Sequence, residues 1–343
     1  MKILVTGITK LHAVPDHYLK QQLKVIPSEP ALVLALRELG HTVDHKPVSW
    51  GEDLDQYDKV ITYLSGTDSF VCDYTDGALW TLKREDTLIA IDDWQTTRTF
   101  MDAFKTEGKW KPAFSAAMNG QEAHREEIDE LHSKWLFGRK VLAPAFTGGD
   151  TDLMFKKAYA QAEKKGLDFG EKPSVFAYDP NPLLPLRQGK FKAPDKKEMK
   201  WIIAGLNEAN RKWWKKIGAT LPVIEVGKKG KEGIRLPENQ MVNFCGGQFL
   251  HLMPKYDHAG SGWWRARPQQ IVDVESVLYC DPEEAKIFGD SWVIEDPLSL
   301  EIMSPTELHD LALRMKTDFY KNHPTDAVGK ARSISQVENF LNG

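Results

Sequence analysis

Two adjacent carboxylates stand where an α/β enzyme would carry out acid–base chemistry. Asp92 and Asp93 directly follow Thr87–Ile91, a short apolar run typical of a buried strand. Residues that follow a parallel strand lie at its carboxyl end, where open α/β sheets bind ligands. A carboxylate in that position can take a proton from a hydroxyl nucleophile. The alternative is structural: an aspartate that caps the following helix.

The stretch Lys255–Gln270 has the composition of an anion site. Ser261 and Gly262 belong to a predicted flexible turn with free backbone N–H groups, and Arg265 and Arg267 stand at the start of a predicted helix. Amide donors, a helix N-terminus and guanidinium groups all favour a diphosphate. In a second interpretation, the tryptophan pair that follows the turn packs at a domain interface and the arginines are surface residues.

A second wall of the same anion site is predicted near Gly205. This glycine follows the predicted strand Trp201–Ala204 and opens the predicted helix Asn207–Ile217. Arg211 and Lys212 lie in that helix. We expect them to face the diphosphate from the side opposite the arginines of the glycine–serine turn.

The charge distribution also favours an anionic ligand. The 343-residue chain has 45 Lys and Arg against 49 Asp and Glu, a net charge of −4. Between Arg187 and Arg235 there are 14 basic and 5 acidic residues, a net of +9, so the remainder sums to −13. A local basic field of this size suits phosphates or nucleic acid, although a set of solvated helix faces would have the same composition.

Several other chemistries are disfavoured by what the chain lacks. After Gly7 the next glycine is Gly40, so the dinucleotide-binding fingerprint is absent and no nicotinamide cofactor is expected. The three cysteines are widely spaced, which predicts neither a disulfide framework nor a cysteine-based zinc site. The apolar runs are far shorter than the ~20 residues of a membrane span. No signal peptide is evident, so we expect no membrane partner and a cytoplasmic location.

The candidate residues need a scaffold of alternating strands and helices. In the N-terminal part, strands are predicted at Lys2–Thr6, Thr42–Val48, Lys59–Leu64 and Thr87–Ile91, and helices at Ala31–Leu39 and Gly77–Arg84. Helical patterns follow at Glu122–Trp135 and Asp152–Lys165. Strands separated by helices indicate βαβ units and a parallel sheet.

Five prolines between residues 173 and 200 predict a linker. Beyond it the alternation restarts, with predicted strands at Trp201–Ala204, Pro222–Val226, Phe249–Met253, Ser276–Cys280 and Ser291–Ile294. Helices are predicted at Asn207–Ile217, Arg267–Val274, from Ser304 to about Lys321, and at Ser333–Leu341. The predicted fold class is α/β, with two Rossmann-like domains and an interdomain cleft.

Taken together, these motifs resemble the DNA-modifying β-glucosyltransferases of T-even-type phages, a group within the two-domain GT-B glycosyltransferases. The matching residues are, in order, Met1–Ile3, Val25–Glu29, Leu39-Gly40, Asp55–Lys59, Ile91–Asp93, Ile202–Gly205, Arg211-Lys212, Arg267 with Gln270, and Ser276–Asp281. The match is collinear over most of the chain and weakest between residues 100 and 200. The order and spacing of the motifs carry the resemblance.

The resemblance implies an acceptor (DNA)-binding domain at residues 1–180 and a donor-binding domain at residues 181–320. Residues 321–343 would form a C-terminal helix that packs back on the first domain. Asp93 falls where this group has its general base, with Asp92 as the adjacent alternative. Ser28 and Glu29 fall near its sugar-contacting residue.

The donor diphosphate is expected to contact Arg267 together with Arg211 or Lys212. Gln270 falls where GT-B enzymes commonly place a glutamate on the nucleotide ribose. Glu208 replaces an expected basic residue. Because of these two departures, the resemblance does not determine which nucleotide and which sugar the donor carries.

The implied function is inverting transfer of a sugar from a UDP-sugar, with UDP-glucose the first choice, to a hydroxymethylated pyrimidine in double-stranded DNA. The target base would flip out of the duplex, and Mg²⁺ or Mn²⁺ could accompany the diphosphate. We expect a monomer in the cytoplasm of a phage-infected bacterial host. The alternatives are a GT-B enzyme with a non-DNA acceptor and a non-enzymatic DNA-binding protein with a degenerate sugar site.

Overall fold

The fold consists of two parallel β-sheets with helices packed against them. It is taken from a computed structural model. The residues it describes are 1–6, 28–64, 80–91, 138–164, 171–184, 196–204, 215–226, 244, 246–253 and 259–343.

The first sheet has six parallel strands in the order β2-β1-β3-β4-β5-β6. These are β1 (Lys2–Thr6), β2 (Thr42–His45), β3 (Lys59–Leu64), β4 (Leu88–Ile91), β5 (Lys140–Pro144) and β6 (Ser174–Tyr178). The four strands predicted in this region are confirmed, with small differences at their ends. Because all six run parallel, the loops that follow them leave from one edge of the sheet.

The prediction of a proline-rich linker over residues 173–200 is wrong at both ends, where the structure has β-strands. β6 occupies part of residues 173–200, and the strand that opens the second sheet starts before residue 200. The prolines at 173 and 180 flank β6 and do not interrupt it. Its own sequence, SVFAY, is rich in β-branched and aromatic residues and lies at the sheet edge, so the nearby prolines cost no ladder hydrogen bond.

The second sheet has four parallel strands in the order β10-β9-β7-β8. They are β7 (Glu198–Ala204), β8 (Val223–Val226), β9 (Gln248–Leu252) and β10 (Val277–Tyr279). The strand predicted at Ser291–Ile294 is wrong, because Asp290–Trp292 forms a 3₁₀ turn. Trp292 is fully buried there and its indole N–H donates to Met315 O at 2.9 Å, so core packing explains the apolar pattern.

Helices cover both sheets. They are α1 (Ser28–Glu38), α2 (Leu153–Glu163), α3 (Ala266–Asp273), α4 (Pro282–Ala285), α5 (Pro305–Asn322) and α6 (Ala327–Asn342). In the predicted helix Gly77–Arg84, the described part holds a 3₁₀ turn, Thr81–Lys83. The predicted helix Glu122–Trp135 lies outside the described residues. None of the described helices has the length and apolar character needed to cross a membrane.

The two long C-terminal helices begin at side-chain caps. Ser304 and Glu307 form a reciprocal capping box at the start of α5, as its sequence predicts. α6 begins earlier than predicted because Asp326 accepts hydrogen bonds from the amides of Val328 and Gly329. A carboxylate at this position offsets the unpaired amides of the first helical turn.

Helix α6 follows the second sheet in the sequence but packs against the first. It contacts α1, β5 and β6. Val337, Phe340 and Leu341 are buried, and the Phe340 ring lies 5.8 Å from the ring of Phe176 on β6. The ammonium of Lys330 adds an exposed ion pair with Glu38, the last residue of α1. The first sheet is therefore completed by the last described helix.

A short antiparallel contact joins the carboxyl end of β5 to the loop before α3. We call residues 144–150 and 260–264 together the seam. The amide of Phe146 donates to the carbonyl of Gly262 at 2.6 Å, and the amide of Trp264 donates to the carbonyl of Pro144 at 3.1 Å. Ala145 also forms a β-bridge with the tryptophan next to Gly262. The seam thus connects the two sheets by main-chain hydrogen bonds.

Two glycines allow the seam to close. A Cβ on Gly149 would overlap the backbone of Gly262. A Cβ on Gly262 would lie 2.7 Å from the carbonyl oxygen of Phe146, and its φ of +71° is one that side chains disfavour. Only glycine at both positions lets the two backbones approach this closely.

Aromatic packing reinforces the seam. The ring of Phe146 packs among three rings that follow the second sheet in the sequence, with centroid distances of 5.2 Å to Phe288, 5.9 Å to Phe319 and 4.8 Å to His323. Burial lowers the pKa of His323 to about 4. Its Nε2–H donates to Ile287 O at 2.7 Å, so a neutral imidazole completes the aromatic cluster.

We expect Gly149→Ala to destabilise the protein by about 2–3 kcal/mol, because the added methyl group forces two backbones apart. Gly51→Ala is the control: Gly51 has a φ of +83° and open space around it, so it reports only the cost of the backbone conformation, about 1 kcal/mol. Chemical denaturation measures both. Equal losses in the two variants would contradict the tight contact.

Candidate active site

The seam brings the carboxyl ends of the two sheets together. α3 follows β9, so in a right-handed βαβ unit its first residues lie at the carboxyl end of the second sheet. The loop that leads into α3 is hydrogen-bonded to the carboxyl end of β5. The carboxyl end of β5 and the start of α3 therefore lie next to each other.

Ser28 begins α1 and is held in place by two tyrosines. Its hydroxyl is hydrogen-bonded to the hydroxyl of Tyr63 on β3, and its carbonyl accepts a hydrogen bond of 2.6 Å from the hydroxyl of Tyr178 on β6. All three side chains are buried. The start of α1 is thus fixed against the carboxyl ends of two strands.

Glu29 is a fully buried carboxylate with a histidine partner. Its Oε1 lies 2.7 Å from Nε2 of His45, and the exposed fractions of the two side chains are 0% and 2%. Its other oxygen, Oε2, is buried and has no hydrogen-bond partner among the described residues. Burial raises the pKa of Glu29, and the hydrogen bond and charge of His45 oppose that rise.

His45 was not singled out from the sequence, although a signal was present. The predicted strand Thr42–Val48 placed His45 in mid-strand, whereas β2 ends at His45. A polar residue at the carboxyl end of a parallel strand is a candidate site residue. With the correct strand end, the histidine would have qualified on that ground.

Several predicted site residues lie outside the described residues. They are Asp92, Asp93, Gly205, Arg211 and Lys212. Asp92 follows Ile91, the buried last residue of the central strand β4. The roles assigned to all five stay predictions.

Ser261 and Gly262 take part in the seam. The Ser261 hydroxyl accepts a hydrogen bond of 3.3 Å from the amide of Trp263, and the carbonyl of Gly262 accepts one from β5's loop. Trp263 and Trp264 are only 7% and 6% exposed. This agrees with the second interpretation of the stretch, a tryptophan pair packed between the two sheets. A role of the turn at a diphosphate stays a prediction.

Arg265 has an internal partner. Its Nη2 lies 3.1 Å from Oε1 of Glu284 in α4, and the exposed fractions of the two side chains are 14% and 4%. Burial raises the pKa of Glu284, and the nearby guanidinium opposes that rise. Arg265 therefore carries a largely buried ion pair at the carboxyl end of the second sheet.

Arg267 and Gln270 lie on α3 and are both partly exposed. They are three residues apart, so they share one face of the helix. The neighbouring Gln269 is buried and faces the hydroxyl of Tyr320, which in turn is hydrogen-bonded to Asp273. A role of this pair in donor binding stays a prediction.

The described residues contain no group of three His, Cys, Asp or Glu side chains placed to hold a metal ion. This finding concerns protein ligands alone. A divalent ion bound through a diphosphate needs few of them.

Two parallel α/β sheets that meet at their carboxyl edges define the GT-B class of fold, as the resemblance implied. In particular, the chain is similar to T4 phage BGT in complex with UDP and Mn²⁺, with a TM-score of 0.55, 14% identity, and coverage of 100% of this chain and 99% of that one. A T4 phage beta-glucosyltransferase structure concerned with substrate binding gives a TM-score of 0.55, 13% identity and the same coverage.

A third structure, of the DNA-modifying enzyme beta-glucosyltransferase with and without uridine diphosphoglucose, gives a TM-score of 0.54, 12% identity, and coverage of 100% and 99%. No protein-family model and no curated protein sequence matches the chain. At these identities the likeness establishes the fold over the full length of the chain.

We expect Arg265→Met to destabilise the protein by about 3 kcal/mol, because it leaves Glu284 buried without its cation. The double variant R265M/E284M removes both charges and should recover most of that loss. Urea denaturation of the wild type and both variants measures the difference. If R265M unfolds like the wild type, the ion pair does not stabilise this end of the second sheet.

Proposed function

We propose that the protein is an inverting glycosyltransferase that moves a sugar from a UDP-sugar to the hydroxymethyl group of a modified pyrimidine in phage DNA. The observation that carries this proposal is the fold likeness over the whole chain to T4 phage BGT in complex with UDP and Mn²⁺, and to a structure of the DNA-modifying enzyme beta-glucosyltransferase with uridine diphosphoglucose. The positions of Glu29 beside the carboxyl end of β2 and of Arg267 at the start of α3 support it.

In this proposal Asp93 is the general base. Its carboxylate takes the proton from the acceptor hydroxymethyl group as the oxygen forms a bond to the anomeric carbon and the bond to the diphosphate breaks. General-base help of this kind is worth about 10²–10⁴-fold in rate. Asp92 is the adjacent alternative. Both follow β4, which lies between β3 and β5 in the first sheet.

The second sheet would hold the donor. Arg267, with Arg211 or Lys212, stabilises the negative charge that develops on the departing UDP diphosphate. Gln270, one turn further along α3, hydrogen-bonds a ribose hydroxyl. We take UDP-glucose as the first donor to test, with Mg²⁺ or Mn²⁺ as an optional companion of the diphosphate.

Double-stranded DNA would bind across the cleft in the cytoplasm of the infected host. A base inside the duplex cannot reach a cleft, so the target nucleotide flips out at a cost of a few kcal/mol. The basic segment 187–235, with its net charge of +9, would contact the phosphate backbone. Binding would then weaken as salt rises, because counterions compete for those phosphates.

The direct test is to incubate the protein with UDP-glucose and DNA that contains hydroxymethylcytosine or hydroxymethyluracil, and to analyse the nucleosides by mass spectrometry. A mass gain of one hexose on either base supports the proposal. UDP-xylose in a parallel reaction tests a pentose donor. No gain with either donor, despite salt-sensitive DNA binding, would favour a non-enzymatic DNA-binding protein.

We expect Asp93→Asn to lower the transfer rate by at least about 10²-fold while donor affinity stays the same, because only proton removal is lost. Asp92→Asn is the matched control and should retain most of the activity. Single-turnover transfer and calorimetric binding of UDP-glucose separate the two effects. Transfer by D93N at the wild-type rate would remove Asp93 from the mechanism.

We expect Arg267→Ala to weaken UDP binding about 10-fold or more, as loss of a charge-assisted hydrogen bond to phosphate would. Lys316→Ala, on neighbouring α5 and paired with Glu275, is the control for a lost positive charge near α3. Calorimetry with UDP measures both. Unchanged affinity in R267A would show that the diphosphate binds elsewhere.

A further inference from the structure

The Glu29–His45 pair has an arrangement that core packing alone does not explain. Glu29 has lost all contact with solvent, and one of its two carboxylate oxygens has no hydrogen-bond partner among the described residues. A buried oxygen with unmet acceptor capacity is costly in free energy. A hydroxyl group of a bound ligand could donate to this oxygen and remove that cost.

The location of the pair is that of a ligand site. His45 is the last residue of β2, and Glu29 is the second residue of α1. The residue before it, Ser28, is held by Tyr63 and Tyr178 from two other strands. The carboxylate is therefore fixed at the carboxyl edge of the first sheet. The seam joins this same edge to the second sheet.

His45 controls how that carboxylate is presented. Its Nε2 lies 2.7 Å from Oε1 and so occupies one oxygen and fixes the rotation of the carboxylate. Oε2 is then the oxygen of Glu29 that has no hydrogen-bond partner among the described residues. A sugar carries several hydroxyl groups that can donate to it, whereas a diphosphate carries acceptors and would be repelled.

We propose that His45 is a positioning residue for the donor sugar: it holds Oε1 of Glu29 so that Oε2 accepts a hydrogen bond from a sugar hydroxyl. This inference rests on the proposed function, since it takes a UDP-sugar as the ligand. It adds a residue on β2 that touches no substrate and acts only through Glu29. The proposal also predicts that His45 affects binding of the sugar part of the donor and not binding of its UDP part.

The test compares H45Q with H45N. Glutamine can place its amide N–H where Nε2 of His45 lies, whereas the shorter asparagine cannot reach Oε1. The two variants carry the same functional group, so a difference between them reports the hydrogen bond to Glu29. Tyr57→Phe is the control for disturbance of β2, because Tyr57 donates to Asp44 of the same strand at 3.0 Å.

Calorimetry with UDP-glucose and with UDP separates positioning from loss of structure. H45N should weaken UDP-glucose binding by about 10-fold, the usual effect of losing a hydrogen bond to a charged group, and leave UDP affinity unchanged within about twofold. H45Q and Y57F should bind both ligands like the wild type. In E29Q, adding H45N should cause no further loss, because the histidine acts through the carboxylate.

Two results would overturn the positioning role. In the first, H45N binds UDP-glucose as tightly as the wild type. In the second, H45N weakens UDP and UDP-glucose to the same extent, which indicates a general structural effect. Wild-type protein that binds neither ligand overturns the proposed function itself, and the sugar contact with it. Wild-type protein that binds UDP-glucose but modifies no DNA removes only the acceptor assignment.

Discussion

Gly149 and Gly262 approach each other so closely that neither position has room for a Cβ, and this contact holds the carboxyl ends of the two sheets face to face. The main-chain hydrogen bonds of the seam form because the two backbones can come together there. Phe146 then packs against the rings of Phe288 and His323. The placement of α3 relative to the first sheet follows from these contacts.

Two of the described side chains near the proposed site, Glu29 and Arg265, have partners within the protein. Glu29 pairs with His45, and Arg265 pairs with Glu284. Pairs of this kind are expensive to bury, and replacing them by apolar residues is often no loss to stability. Their benefit is geometric, because a carboxylate or guanidinium with a fixed partner has a fixed orientation.

Local signals in the sequence predicted the parts of the fold that depend on neighbouring residues. The first four strands and the capping box of α5 follow from apolar runs and from a Ser–Pro–Thr–Glu sequence. β6 was missed because the prolines on either side of it concealed a short strand. His45 was missed as a candidate site residue because the predicted strand ran three residues past the end of β2. The seam joins residues more than a hundred positions apart, and no local pattern marks such a contact. The segment around Trp292 was predicted as a strand because its apolar residues are buried. A pattern of apolar residues indicates burial but does not say which type of structure causes it.

Helix α6 gives this architecture a particular order of assembly. Val337, Phe340 and Leu341 fill the core of the first sheet, although the whole second sheet precedes them in the sequence. During synthesis, the strands up to β6 leave the ribosome long before the helix that covers them. The second sheet and its own helices can therefore complete their core first. Until α6 has been made, the apolar surface of the first sheet that it covers stays exposed. Until then, chaperones are what can cover that apolar surface.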